Sequence, residues 1–103
     1  MIDKKTKATI IQSLLPYQPD MIGVFGSYAR GDNRDSSDLD ILVSLKRKIS
    51  LLRLVQIEQQ LTDDLGIKVD LVTTNALKNP RLKRFIYRDL IPILDEEGRP
   101  NIS

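Results

Sequence analysis

Two short apolar runs, 39–43 and 67–72, flank a segment of helical period, and this restricts the fold more than any other feature of the chain. Leu51, Leu54, Ile57, Leu61 and Leu65 recur between them at steps of three and four. Ser50 stands where an N-cap is needed, and Gly66 where a helix must end in the left-handed region that other residues resist. The flanking runs are short and rich in β-branched residues, so they read as strands. Strand, helix and strand linked this closely form a right-handed crossover, which makes the two strands parallel.

The rest of the chain extends that unit. Asp3 is an N-cap for a helix carrying Ile10, Ile11, Leu14 and Leu15 and stopped by Pro16. Met21, Ile22, Val24 and Phe25 form a first strand, closed by Gly26 and Ser27. The polar stretch G-D-N-R-D-S-S over 31–37 separates it from the second strand, and so short a link suits an antiparallel or splayed pair. Asn79-Pro80 opens a last helix with Leu82, Phe85, Ile86 and Leu90 on its apolar side. Ile91 to Leu94 follows as an edge strand, because Pro92 cannot donate a ladder bond. The expected fold class is α/β, a mixed sheet of three to four strands flanked by helices. Residues 1–95 form one domain and 96–103 a polar, frayed C-terminal tail.

Composition limits the chemistry. The 103 residues contain no His, no Cys and no Trp. A Ser-His-Asp or Cys-His triad, a thiolate nucleophile and a zinc finger are therefore excluded. Catalysis must run on carboxylates, hydroxyls, Lys or Arg. With 16 basic and 14 acidic residues, the net charge of +2 draws polyanions only weakly, and direct nucleic-acid binding is not expected. The start M-I-D-K-K-T-K-A-T lacks a secretory pattern, and no apolar stretch approaches the roughly 18 residues of a membrane span. The expectation is a cytoplasmic protein with no membrane partner.

Three acids interrupt the strands. Asp38 and Asp40 are two apart at the mouth of the second strand and so project from one face. Asp70 lies inside the third strand, and if the two strands are neighbours about 4.8 Å apart it points at the same spot. Singly, each has an ordinary explanation: Asp38 ends a loop of turn-forming residues, Asp40 and Asp70 alternate with apolar neighbours as on a wet strand face. Together they repel, and each is driven toward protonation unless a cation neutralises it. Magnesium suits such hard oxygen ligands and bridges carboxylates to a substrate phosphate.

A phosphate site stands close by. Gly26-Ser27 follows the first strand directly, and Ser27 to Arg30 can form a helical turn ended by Gly31. Free amides and the Ser27 hydroxyl can receive phosphate oxygens, Gly26 lets the backbone approach without a Cβ, and Arg30 adds a permanent planar donor. A triphosphate on this turn would place its reacting phosphorus over a metal pair held by the three aspartates, the two-metal arrangement for in-line displacement.

These residues resemble a known family. G-S-x10-D-x-D, here Gly26-Ser27 and Asp38-Leu39-Asp40, is similar to the signature of the polymerase-beta-like nucleotidyltransferases. The fuller string G-S-Y-A-R-G-D-N-R-D-S-S-D-L-D-I-L-V resembles their minimal, MNT-type branch, antitoxin partners of HEPN-domain toxins. The four fixed positions match by chance in about one such chain in a thousand. The resemblance implies triphosphate binding by Gly26 and Ser27, metal binding and catalysis by Asp38, Asp40 and Asp70, and a less defined nucleotide-binding role for Arg30. It further implies two Mg2+ ions, ATP as the nucleoside triphosphate, and transfer of AMP to a hydroxyl of a protein partner, a tyrosine of a HEPN-type toxin. Two other readings stay open: an antitoxin that neutralises its partner by contact alone, and a small-molecule transferase like the aminoglycoside nucleotidyltransferases.

Other charged and aromatic residues have plainer roles. Lys78, Arg81, Arg84 and Arg88 recur at helical steps and read as a solvated helix face, and Lys46 to Lys48 as a charged loop. Tyr17 and Tyr87 are expected to pack rather than to stack on bases.

Overall fold

The computed structural model describes residues 2–95 and 98–100. Helix α1 (Lys4–Leu14) starts at Asp3, whose side chain accepts from the Thr6 amide at 2.8 Å. Pro16 then bends the chain through a 3-10 turn, Leu15–Tyr17. Strand β1 (Pro19–Phe25) runs straight into the short helix α2 (Gly26–Arg30). After a loop come β2 (Leu39–Leu45), α3 (Leu51–Leu65) and β3 (Val69–Thr73). Ser50 caps α3 by accepting from the Arg53 amide at 3.1 Å, and Gly66 ends it at φ 69°. A second 3-10 turn, Thr74–Ala76, leads to α4 (Pro80–Arg88) and β4 (Ile91–Leu94).

The four strands make one mixed sheet in the order β3-β2-β1-β4. β2 and β3 are parallel, as the crossover through α3 requires, and β1 pairs antiparallel with both β2 and β4. On one face Ile22, Val24, Leu39, Ile41, Val43, Val69 and Leu71 pack against Ile10, Ile11 and Leu14 of α1 and Ile57 and Leu61 of α3. Each such fully buried side chain contributes about 1.5–3 kcal/mol, so this face holds most of the stabilising burial. The other face is thinner: Met21, Phe25 and Leu42 lie under Leu77 and Ile86, with Val72 and Leu90 partly buried. Because α4 covers only part of that face, the strand ends at 38–40 and 70 stay open, where acids can reach water.

Several expectations change in detail. Leu51 heads α3 but is 76% exposed, and Leu82 and Phe85 of α4 are about half exposed, so Ile86 is the residue that α4 buries. Tyr17 packs, half-buried, against the main core, whereas Tyr87 is 41% exposed at the rim of a cleft it lines with Met21, Ser44 and Thr74, so it is not in the core. The outer edge of β3 is capped from α3: the Leu71 amide donates to Glu58 Oε2 at 2.8 Å and the Val69 amide to Thr62 Oγ1 at 3.0 Å. That occupies donors that would otherwise invite another strand. Part of the tail expected over 96–103 lies outside the described residues. In its described part Pro100 bridges to Leu94, and Arg99 pairs with Asp95 at 3.1 Å. Among the described residues no helix is long and apolar enough to cross a membrane.

Candidate active site

Phe25, Asp40 and Asp70 form one row across the sheet. In the ladder Phe25 is the partner of Asp40 and Asp40 is the partner of Asp70. Directly paired residues on neighbouring strands point to the same face, so the Asp40 and Asp70 carboxyls stand side by side. Asp38, two residues earlier, shares that face, and the adjoining Leu39 amide donates to the Lys68 carbonyl at 2.8 Å, which extends the β2–β3 ladder to the site's rim. As the side chains lie, no three acids among the described residues are gathered closely enough to enclose one ion. Asp38 turns instead toward Lys68, with Oδ2 and Nζ 3.8 Å apart on a largely exposed rim.

Asp40 is the electrostatic centre of the group. Partial burial pushes its carboxyl from 3.8 up to about 6, and the charges of Asp70 and then Asp38 push the same way, while Arg30 opposes them. A carboxylate that is costly to ionise beside two others is the arrangement that a divalent cation relieves.

The turn before this row is shaped by Asp40. Gly26 has φ +71°, and a Cβ there would overlap Asp40 Oδ2. The glycine is required for two reasons at once: left-handed backbone, and contact with the carboxylate rather than only with a ligand. Behind it, the Ser27 carbonyl accepts from the amides of Gly31 (2.9 Å) and Asp32 (3.1 Å), closing α2 as the sequence predicts. The Ser37 hydroxyl accepts from the Arg34 amide at 2.8 Å and tightens the loop into β2. Arg30 is already engaged: its Nε lies 3.2 Å from Asp32 Oδ2 and its Nη1 3.4 Å from Asp89 Oδ2.

Of the six residues singled out in the sequence, Asp38, Asp40 and Asp70 share one face, and Gly26 touches Asp40. Ser27 lies next along the same turn. Arg30 is close enough to Asp40 to favour its ionised form yet is shared with two acids. Lys68, Phe25 and Asp89 were missed. Alternation with Asp70 put Lys68 on the right face, and the parallel pairing is the signal that could have placed it beside Asp38. No local pattern announces Asp89, which is 59 residues from Arg30.

Comparison with known proteins bears on the family and the fold. A family model described as nucleotidyltransferase domain matches residues 4–93. Protein adenylyltransferase MntA of Thermococcus cleftensis is 48% identical over 70 residues, 68% of this chain and 70% of that protein. MJ1217 of Methanocaldococcus jannaschii, described as a candidate protein adenylyltransferase, is 49% identical over 77 residues, 75% of this chain and 79% of its own. A crystal structure of a toxin-antitoxin with AMP-PNP superposes with a TM-score of 0.74 at 22% identity, over 88% of this chain and 72% of the matched one. One of a tri-AMPylated Shewanella oneidensis HEPN toxin in complex with MNT antitoxin gives 0.71 at 22% identity, over 88% and 71%. At that identity the two structures establish shared fold. The long family match and the near-half identity of the relatives go further: this chain belongs to the nucleotidyltransferase domain family.

Proposed function

We propose that this chain is a protein adenylyltransferase that moves AMP from ATP to a hydroxyl of a protein partner, a tyrosine of a HEPN-type toxin, and so acts as its antitoxin. The supporting observation is the Asp40–Asp70 pair with Asp38 beside it and Gly26 against Asp40, in a chain 48% identical over 70 residues to protein adenylyltransferase MntA. The Shewanella oneidensis complex with an AMPylated HEPN toxin, which has the same fold, supports the choice of acceptor.

In the reaction the acceptor oxygen attacks the α-phosphorus of ATP. A new O–P bond forms, the bond from that phosphorus to the bridging oxygen breaks, and pyrophosphate leaves with the electron pair. Gly26 and Ser27 lie where the polyphosphate can rest along the turn. Arg30 supplies fixed positive charge at the end of that turn. Magnesium fits the donor set of Asp38, Asp40 and Asp70, all hard oxygens on one water-accessible face, and when bound it neutralises phosphate charge and activates the acceptor hydroxyl. Holding it would require Asp38 to exchange Lys68 for the ion. Asp70 is exposed where Asp38 and Asp40 are partly covered, so a protein hydroxyl can reach it, and its carboxylate can take the departing proton.

The test is to incubate the protein with ATP and magnesium, with and without the HEPN-type acceptor, and to weigh both chains by mass spectrometry. The reading expects the acceptor to gain the mass of AMP, and the Asp38→Asn/Asp40→Asn double variant to abolish the gain. An acceptor of unchanged mass, neutralised equally by wild type and double variant, would support neutralisation by contact alone.

A further inference from the structure

Helix α4 carries a basic and aromatic face that the transfer chemistry does not use. Arg81, Arg84, Phe85, Tyr87 and Arg88 line an open cleft of about 630 Å³. A cationic stripe is ordinarily just a solvated helix face, but three observations separate this one from that default. First, it is amphipathic at the wrong surface: Phe85 and Leu82 are about half exposed among the cations, and the Arg88 guanidinium sits 5.2 Å from the Phe85 ring centroid. That contact sets a planar donor beside an apolar ring in one patch. Second, most of its charge is unpaired among the described residues. Among the described residues Lys78, Arg81, Lys83 and Arg84 make no ion pair, and the one acid at the helix end, Asp89, is taken by Arg30 and Arg88. Third, the helix packs on the same sheet face that carries the three aspartates, and the Arg30–Asp89 contact joins its C-terminal end to the Gly26–Arg30 turn.

We infer that the outer face of α4 is the docking surface for the acceptor protein, and that it receives an acidic patch with an apolar centre. The inference rests on the reading of a protein acceptor. Arg and aromatic side chains at the centre of a patch, ringed by further cations, are the composition of an interface hot spot. A nucleic acid is the weaker fit. A long polyanion draws little on the chain as a whole, whose net charge is only +2, whereas a discrete acidic patch can match the cations concentrated on α4. Docking here would also leave the acceptor's hydroxyl free to reach the row of aspartates from the open side.

The test uses the full-length protein, the HEPN-type acceptor and a 20-nucleotide single-stranded RNA, with binding measured by calorimetry in the absence of nucleotide. Arg81→Glu/Arg84→Glu is expected to weaken acceptor binding at least about tenfold at low salt and to flatten its salt dependence, since it reverses charges facing the opposite sign. Arg81→Lys/Arg84→Lys should retain most of the affinity, and Phe85→Ala should lose affinity without changing the salt slope. All three substitutions are on an exposed face, and a thermal melt matching wild type checks that each variant is folded. MgATP binding, measured separately, should stay within about twofold, because α4 does not form the phosphate turn. Acceptor binding unchanged by the charge reversal overturns the inference. So does RNA binding that is tight in wild type and lost in the reversal while acceptor binding persists. Failure of the function itself reads differently: wild type would bind the acceptor and lose that binding on charge reversal, yet transfer no AMP.

Discussion

Replacing Asp40 by Asn should make the metal-free protein more stable while removing its activity. Asp40 ionises near 6 in the folded chain against 3.8 ordinarily, mainly because it is partly buried and then because Asp70 and Asp38 face it. Its folded-state value is raised, so between those two pH values the folded chain holds a proton that the unfolded chain has lost. Stability therefore falls as pH rises through this window and is flat above it. Taken at face value the shift corresponds to about 3 kcal/mol, and the water that reaches the side chain reduces this to about 1 kcal/mol. Asparagine keeps the shape and removes the charge. In EDTA at pH 7.5 the variant should melt about 4–8 °C above wild type, the response of a domain of this size to that energy. The gain should shrink from pH 6 downward and vanish below pH 3.8, once Asp40 of wild type is protonated in both states. Paired thermal melts across that range measure it directly. Adding magnesium should stabilise wild type more than the variant, since only wild type keeps the full donor set. A variant no more stable than wild type at pH 7.5, or one with the same advantage at every pH, would refute the electrostatic argument.

Other substitutions probe the supports of the site. Gly26→Ala should destabilise by about 1–3 kcal/mol and abolish transfer, because the added Cβ meets Asp40 and the backbone is left-handed; urea denaturation and the mass assay check both. Glu58→Ala leaves the Leu71 amide without its partner at the outer edge of β3 and should cost about 1–2 kcal/mol, read from the same denaturation curves, with greater self-association in sedimentation. Gly23→Val drives a side chain into Leu90, 2.7 Å from the position of a Cβ, and should cost about 1–3 kcal/mol by displacing Leu90 from the space between α4 and β4; near-UV spectra and melts report it. Asp89→Asn releases Arg30 from one of its two acids and should leave the melt within about 1 kcal/mol, because water still reaches both side chains, while changing the KM for ATP more than the melt.

The order of elements, the parallel pairing of β2 and β3 and the edge position of β4 were legible because each rests on short-range pattern: caps at Asp3, Ser50 and Asn79, period-two and period-four spacing, and Pro92. The candidate aspartates were legible for the same reason, since acids inside apolar strands stand out against their neighbours. What could not be read is everything set by partners distant in sequence. Periodicity marks Leu51, Leu82 and Phe85 as the apolar side of their helices but says nothing of whether another layer covers them, and none does among the described residues. Glu58 and Thr62 look like ordinary helix-surface residues until α3 is laid along β3. Gly26 reads as a glycine for a ligand, and only the neighbouring strand reveals that Asp40 needs the space. Arg30 reads as free for phosphate, but Asp89 arrives from the far end of α4 to share it.

The account depends on a divalent cation binding where β2 and β3 bring their carboxylates together beside the Gly26 turn. A crystal grown with Mn2+ and a non-hydrolysable ATP analogue locates the ion by its anomalous scattering. The account predicts an anomalous peak bonded to Asp40 together with Asp38 or Asp70, with Asp38 turned away from Lys68 and the triphosphate lying against Ser27. A nucleotide bound elsewhere, or manganese bonded to none of these three aspartates, would contradict it.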